Sequence, residues 1–180
     1  YSNMGYEVNG ALGAKLAKPE AEVYTFCGDG SFLMGHSELY TAIQEGLKIN
    51  VCLFDNLGWG CIENLQNNQG TDTFGTVFRA RNPKTGMLDG GEIAVDFAKI
   101  AEGYGAKAYT IHTSAELKAA LEDAKKQDKT VLFDIKVLPK TMTPGFESWW
   151  RVGVAEVSKS KRVAEAYDDM QKHIAQTFDY

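Results

Sequence analysis

Short apolar runs alternate with helical stripes along most of the chain. Gly5 to Lys18 reads as a helix of small side chains, where Gly10 and Gly13 lower the propensity and point to close packing on a sheet or neighbouring backbone. Pro19 and Glu20 close it. Val23 to Phe26 forms a strand-like run. Ser37 to Leu47 places Leu39, Ile43 and Leu47 at i, i+4 and i+8, the stripe of an amphipathic helix. A second strand-like run covers Asn50 to Phe54. Further on, Val95, Phe97, Ala98, Ile100, Ala101 and Tyr104 predict a helix ended by Gly105. Ala106 to Ile111 is a short strand, and Thr113-Ser114-Ala115-Glu116 is a capping box for a helix through Lys126 with Leu117 and Leu121 inward. Val131 to Val137 is a continuous apolar-rich strand, as expected of a parallel strand buried on both faces. Ser158 to Phe178 reads as a terminal helix with Val163, Ala166, Tyr167, Met170 and Ile174 inward. This alternation predicts an α/β fold, a three-layer doubly wound mainly parallel sheet over residues 1–138, with a C-terminal helical extension over 139–180.

Residues 60–91 break the pattern: they are rich in Asn, Gln, Gly and Thr, and no period holds. They read as a long loop that covers the active site or reaches a partner chain. Within or near it, Glu63 is a candidate proton carrier, while Arg79 and Arg81 are candidates for an anionic or hydroxyl-rich ligand, weighed against plain solvated charges. His36, seven residues beyond Asp29, reads as an exposed histidine at a helix start rather than a site residue. Glu38 reads as a partner of the helix dipole.

Composition narrows the classes. With 180 residues, 44% hydrophobic and 24% charged, the chain has enough material for one domain with a real core. A net charge of −5 without a basic run argues against nucleic acid or an anionic membrane as partner. No apolar stretch approaches the ~18 residues of a membrane span. Cys27, Cys52 and Cys61 follow no metal-binding spacing; the first two read as buried hydrophobes, and the set fits a reducing cytoplasm. The start at Tyr1, without Met or signal peptide, suggests a fragment. There is no Gly-x-Gly-x-x-Gly, since position 33 is Leu, and no Walker A sequence.

The candidate chemistry lies in two turns, each after a strand-like run: Cys27-Gly28-Asp29-Gly30-Ser31-Phe32 and Phe54-Asp55-Asn56-Leu57-Gly58. Both fall at the carboxyl edge of the expected sheet, where open α/β sheets bind ligands. Asp29 offers a carboxylate, Asn56 an amide oxygen and Gly58 a backbone carbonyl; an all-oxygen set suits a hard cation such as Mg2+ or Ca2+, completed by phosphate and water. The glycines let backbone N–H groups approach a phosphate, with a helix beginning near Phe32 pointing its positive end at it.

These residues resemble a known pattern. The 27-residue separation of Asp29 and Asn56, following Gly-Asp-Gly, is similar to the signature of thiamine-diphosphate enzymes. The resemblance implies that Asp29, Asn56 and the Gly58 carbonyl hold Mg2+, which anchors the diphosphate of thiamine diphosphate. It also implies that Gly28, Gly30 and Ser31 bind that diphosphate through backbone groups. Asp55 stands where many members have Asn, at a position that is not a ligand in the family pattern. Ser2-Asn3-Met4-Gly5 resembles the family's cofactor loop, in which Met4 would prop the cofactor in its bent shape and the Ser2 carbonyl would contact the aminopyrimidine. The segment Pro144 to Ser158 resembles a branch that hydrolyses a C–C bond of a cyclic diketone in myo-inositol catabolism, as do the opening Tyr-Ser-x-Met-Gly-Tyr-Glu and the stretch Leu88 to Ala98. Trp149 and Trp150 there read as packing of the tail. An acetolactate-synthase-like carboligase, a 2-oxoacid decarboxylase and a non-catalytic Mg2+/phosphate-binding domain stay open beside this hydrolase. The resemblance further implies that the activating glutamate lies on a pyrimidine-binding domain, that this domain and a middle domain lie upstream in a longer protein, and that a second subunit of a cytoplasmic homodimer or homotetramer supplies it. The 180 residues alone would then be inactive.

Overall fold

The computed structural model describes residues 3–140 and 151–178. Eleven elements occur there in chain order: α1 (Glu7–Ala17), β1 (Tyr24–Gly28), α2 (Asp29–Gly35), α3 (Glu38–Gln44), β2 (Asn50–Asp55), α4 (Gly60–Asn68), α5 (Phe97–Gly103), β3 (Lys107–Ile111), α6 (Ser114–Ala124), β4 (Val131–Lys136) and α7 (Lys161–Ile174). The chain divides into two compact units, residues 1–59 with 93–139, and residues 60–92 with 140–180.

The first unit is an α/β fold on four parallel strands in the order β1-β2-β4-β3. Register and side-chain alternation sort its two faces. Cys52 lies opposite Phe133, which lies opposite Tyr109. These side chains share one face, where Leu117, Ala120, Leu121 and Ala124 of α6 pack on them with Ile111 and Val131. Leu53, Leu132 and Ala108 belong to the other face, covered by α1, α2 and α5. There the rings of Phe32 (α2) and Phe97 (α5) meet edge to face, with centroids 5.6 Å apart. Val131, Leu132 and Phe133 are fully buried, as a central parallel strand requires. Edge strand β1 differs: Phe26 is 64% exposed and stacks on Phe54 of β2. Burial on both faces thus holds for the middle of the sheet and not for its β1 side.

Several local signals act as expected. Thr113 Oγ1 accepts from the Glu116 N–H, and the Glu116 carboxylate accepts from the Thr113 N–H, completing the capping box of α6. Gly105, with φ +94, turns the chain out of α5. The Cys27 and Cys52 thiols are buried, which pushes them up to about 12 and about 11. Two expectations need correction. What stands nearest Gly10 is a side chain of its own segment, since a Cβ there would lie 2.5 Å from the Tyr6 ring of the preceding turn, and nothing lies within 4 Å of one at Gly13. His36 is half-buried rather than exposed: it stacks between Phe32 and Tyr104, and its Nδ1 is 3.0 Å from the Tyr104 hydroxyl.

In the second unit, residues 60–68 form a helix where a loop was expected. The fastening of α4 is polar, which is why no apolar period announces it. Glu63 is buried, accepts from the Thr73 hydroxyl at 2.7 Å and pairs with Lys140 at 3.1 Å. Gln66 bonds the backbone of Phe74 and the Thr76 hydroxyl. From residue 69 to 92 the chain is irregular, tied by Arg79 to the Gly90 carbonyl and Glu92, and by Arg81 to the Gly86 carbonyl. The two arginines therefore staple this segment. In α7, Val163 is buried and Ala166, Tyr167, Met170 and Ile174 are half-buried, the stripe read from sequence.

Replacing Thr113 by Ala removes the α6 cap and should cost about 1 kcal/mol of stability. Urea unfolding measures it; a shift of only a few tenths would show that the cap contributes nothing to this helix.

Candidate functional site

Strands β1 and β2 are neighbours, so the turns that follow them meet at one edge of the sheet. What joins them is the Asp29 carboxylate, which is fully buried. Its Oδ1 accepts from the Gly30 N–H at 2.7 Å, and its Oδ2 accepts from the N–H groups of Asn56 at 3.1 Å and Gly58 at 2.9 Å. The Gly-Asp-Gly segment is not a free turn leading to a helix near Phe32, as expected. Gly28 ends β1 and is the N-cap, and α2 already begins at Asp29. Gly30 is pressed against Trp59; a Cβ there would lie 2.4 Å from the indole, so only glycine fits.

Electrostatics make this carboxylate unusual. Burial and a hydrogen bond with the Asp55 carboxyl raise it from the ordinary carboxylate range to about 7, against the pull of the Gly58 and Gly30 N–H groups. A hard cation would relieve that penalty. The amide oxygen of Asn56, Oδ1, is buried and has no hydrogen-bond partner among the described residues, a costly state for an acceptor. A buried carboxylate beside an orphaned amide oxygen fits a divalent ion with oxygen ligands. No group of three or more His, Cys, Asp or Glu side chains able to hold a metal occurs among the described residues. An ion here would therefore need amide and backbone oxygens and ligands from outside the chain.

The opening loop reaches the same motif. The Gly5 N–H donates to Ser31 Oγ at 2.8 Å, and the Ser31 hydroxyl donates to the Glu7 carboxylate at 2.7 Å. Gly5, at φ +82, takes a conformation that favours glycine, with room for a Cβ closed off by Met34 at 3.0 Å. Met4, next to it, is 37% exposed. Ser31 is thus tied by its side chain, leaving only its backbone for a ligand. Ser2 lies outside the described residues, as do Trp149 and Trp150.

Sequence reading passed over a buried charge cluster behind the second turn. Asp55 Oδ1 accepts from the Leu57 N–H at 3.0 Å, while Lys136 Nζ lies 2.6 Å from Asp55 Oδ2 and 2.8 Å from Asp134 Oδ2. Both carboxylates are buried. Burial raises Asp134, with Lys136 pulling the other way. Burial lowers Lys136, but its two carboxylate partners outweigh this and leave it above its usual range, hence charged. Leu57 adopts φ +65, which costs a side-chain-bearing residue about 1–2 kcal/mol. A hydrogen bond to a charged acceptor is worth about 1.5–3 kcal/mol, so the Asp55 carboxylate can hold Leu57 there. The available signal was Asp134 and Lys136 alternating on an otherwise apolar strand, which puts both on one face. Glu63, by contrast, is held by partners of its own. Its burial raises it, but Thr73 and Lys140 outweigh that and hold it below the usual range.

A parallel α/β sheet with two glycine-bearing turns around a buried carboxylate and an unsatisfied amide oxygen defines a domain suited to a cation and a phosphorylated ligand. Residues 1–135 match the family model described as thiamine pyrophosphate enzyme, C-terminal TPP binding domain, and the chain belongs to that family. It is 56% identical over all 180 residues to a 3D-(3,5/4)-trihydroxycyclohexane-1,2-dione hydrolase of Clostridium tetani (strain Massachusetts / E88), and 59% identical over 174 residues to one of Geobacillus thermodenitrificans (strain NG80-2). These matches cover 100% and 97% of the chain but 28% and 27% of the relatives, so the chain spans little more than a quarter of their length. Among solved structures it is similar to the Rhodococcus jostii RHA1 thiamine diphosphate-dependent 4-hydroxybenzoylformate decarboxylase, with TM-score 0.59 and 26% identity over 76% of this chain and 23% of that one.

The raised Asp29 has a signed consequence. Its folded-state value lies above the unfolded one, so its stabilisation is full below pH about 4 and lost as pH rises to about 7. In metal-free buffer, the stability of Asp29→Asn relative to the unmutated protein should therefore increase between these limits and level off above them. Urea titrations across pH test this; a pH-independent difference would contradict it.

Proposed function

We propose that this chain carries the diphosphate and Mg2+ half-site of a thiamine-diphosphate-dependent hydrolase that opens 3D-(3,5/4)-trihydroxycyclohexane-1,2-dione to 5-deoxyglucuronate in myo-inositol degradation. The observation that carries the site is the buried Asp29 carboxylate joining the two turns beside the orphaned Asn56 Oδ1. Identity of 56% and 59% to hydrolases of that name supports the substrate.

On this reading Asp29, Asn56 and the Gly58 carbonyl hold Mg2+, and the backbones of Gly28, Gly30 and Ser31 receive the diphosphate. Met4 would support the cofactor, and the Ser2 carbonyl, which lies outside the described residues, would contact its aminopyrimidine. Thiamine diphosphate, when bound, supplies the carbanion and the electron sink that C–C cleavage beside a carbonyl needs. The chain's part is orientation. Asp29 ties the metal turn to the phosphate turn, and the Gly5–Ser31–Glu7 bonds fix the opening loop against that turn. The pyrimidine-binding domain belongs to a longer polypeptide and comes from a second subunit of a homodimer or homotetramer. A cytoplasmic location fits the free cysteines, and no described helix is long and apolar enough to cross a membrane.

Two measurements on the intact polypeptide carrying these residues test this. It should consume the cyclic dione with thiamine diphosphate and Mg2+; turnover of pyruvate instead would favour a carboligase or decarboxylase. Asp29→Asn and Asn56→Ala should each abolish Mg2+-dependent cofactor binding in calorimetry. Cofactor binding that ignores Mg2+ in the unmutated protein would overturn the metal assignment.

A further inference from the structure

We propose that Lys136 is a positioning residue for the metal-binding turn, acting through Asp55 from the neighbouring strand. This rests on the reading of Asp29, Asn56 and Gly58 as the metal's ligands. Lys136 and Asp55 are register partners at the carboxyl ends of β4 and β2, so the ammonium meets the carboxylate without reaching across the fold. The Asp55 oxygens divide the work: Oδ2 takes Lys136 at 2.6 Å, and Oδ1 takes the Leu57 N–H at 3.0 Å. Leu57, at φ +65, sits between Asn56 and Gly58. Its bond to Asp55 sets the direction of the chain at both ligand positions. The Asp55 main chain is anchored by the same strand end, its carbonyl accepting from the Val137 N–H at 3.0 Å. Asp134, 2.8 Å from Lys136, and the Phe97 ring, whose centroid lies 5.9 Å from Nζ, hold the ammonium from the other side.

Charge gives Lys136 a second task. The Asp55 carboxyl neighbours the buried Asp29 carboxyl and raises it. Without a cation behind it, Asp55 would repel the Asp29 carboxylate and compete with it for the metal, and the turn could relax by rotating the Asp55 carboxylate toward the ion. Lys136 neutralises Asp55 from behind, so that Asp55 shapes the turn without entering the coordination shell. The other charged groups near the ammonium are Asp134 and, more distantly, Asp96 at the start of α5.

The test uses the intact polypeptide and reads Mg2+ dependence of thiamine diphosphate binding by calorimetry, with metal-free melting as the control for folding. Lys136→Met keeps the length and loses the charge; it should weaken the apparent Mg2+ affinity about 10–100-fold, the usual effect of losing a partner behind a metal ligand. Lys136→Arg keeps the charge and should bind Mg2+ more tightly than the Met variant. The double variant Lys136→Gln with Asp134→Asn removes one charge of each sign, leaving Asp55 as the one carboxylate of the cluster without its cation rather than two, and should show the same weakening. Mg2+ curves for both neutral variants that superimpose on the unmutated protein would overturn the proposal, as would failure of both to fold, which would make the role purely structural. The site reading fails separately, if the unmutated protein binds the cofactor without Mg2+ or if Asp29→Asn binds like it.

Discussion

The site depends on one buried anion. Asp29 sits at the start of α2 with no exposure to solvent, and its carboxylate accepts three backbone N–H groups drawn from both turns. These bonds set the distance between the end of β1 and the end of β2 beyond what strand pairing alone fixes. They do not cancel the cost of burying the charge, as the elevated proton affinity shows. A buried carboxylate beside an amide oxygen without a hydrogen-bond partner is a donor set that a hard cation fits. The fold serves it by making β1 and β2 adjacent and parallel, so that their carboxyl ends lie together.

Around that anion the chain distributes support unevenly. The Gly-Asp-Gly turn is tied to the opening loop by Ser31, whose hydroxyl is shared between Gly5 and Glu7. The Asn56 turn is tied to the middle of the sheet through Asp55, Lys136 and Asp134. The first device uses neutral donors and one carboxylate at the rim. The second is a buried ion cluster, worth little as net stability, whose effect is to fix one geometry.

Much of this was legible in the sequence because it depends on local pattern. The strands around Phe26, Leu53 and Phe133, the Thr113 cap and the terminal helix stripe follow from period and capping chemistry. The pairing of Asp29 with the Asn56 turn followed from two short motifs, each after an apolar run. Illegible features share a cause, in that polar bonds between distant residues hold them. Helix α4 is fastened through Glu63 and Gln66, and apolar periodicity is blind to that. Position 55 looked indifferent because its partner lies 81 residues away in sequence. His36 looked exposed because Tyr104, which it bonds, lies on α5's far end. Gly13 shows the opposite error, a glycine given a packing role where nothing stands near it.

On the proposed function, the two turns grip one divalent ion. Crystals of the intact polypeptide grown with thiamine diphosphate and Mn2+ in place of Mg2+, measured at the manganese edge, test it most directly. The expected result is an anomalous peak in contact with the Asp29 carboxylate, Asn56 Oδ1 and the Gly58 carbonyl, and on its open side with the diphosphate. A peak elsewhere, or a bound cofactor with no peak between these turns, would contradict it.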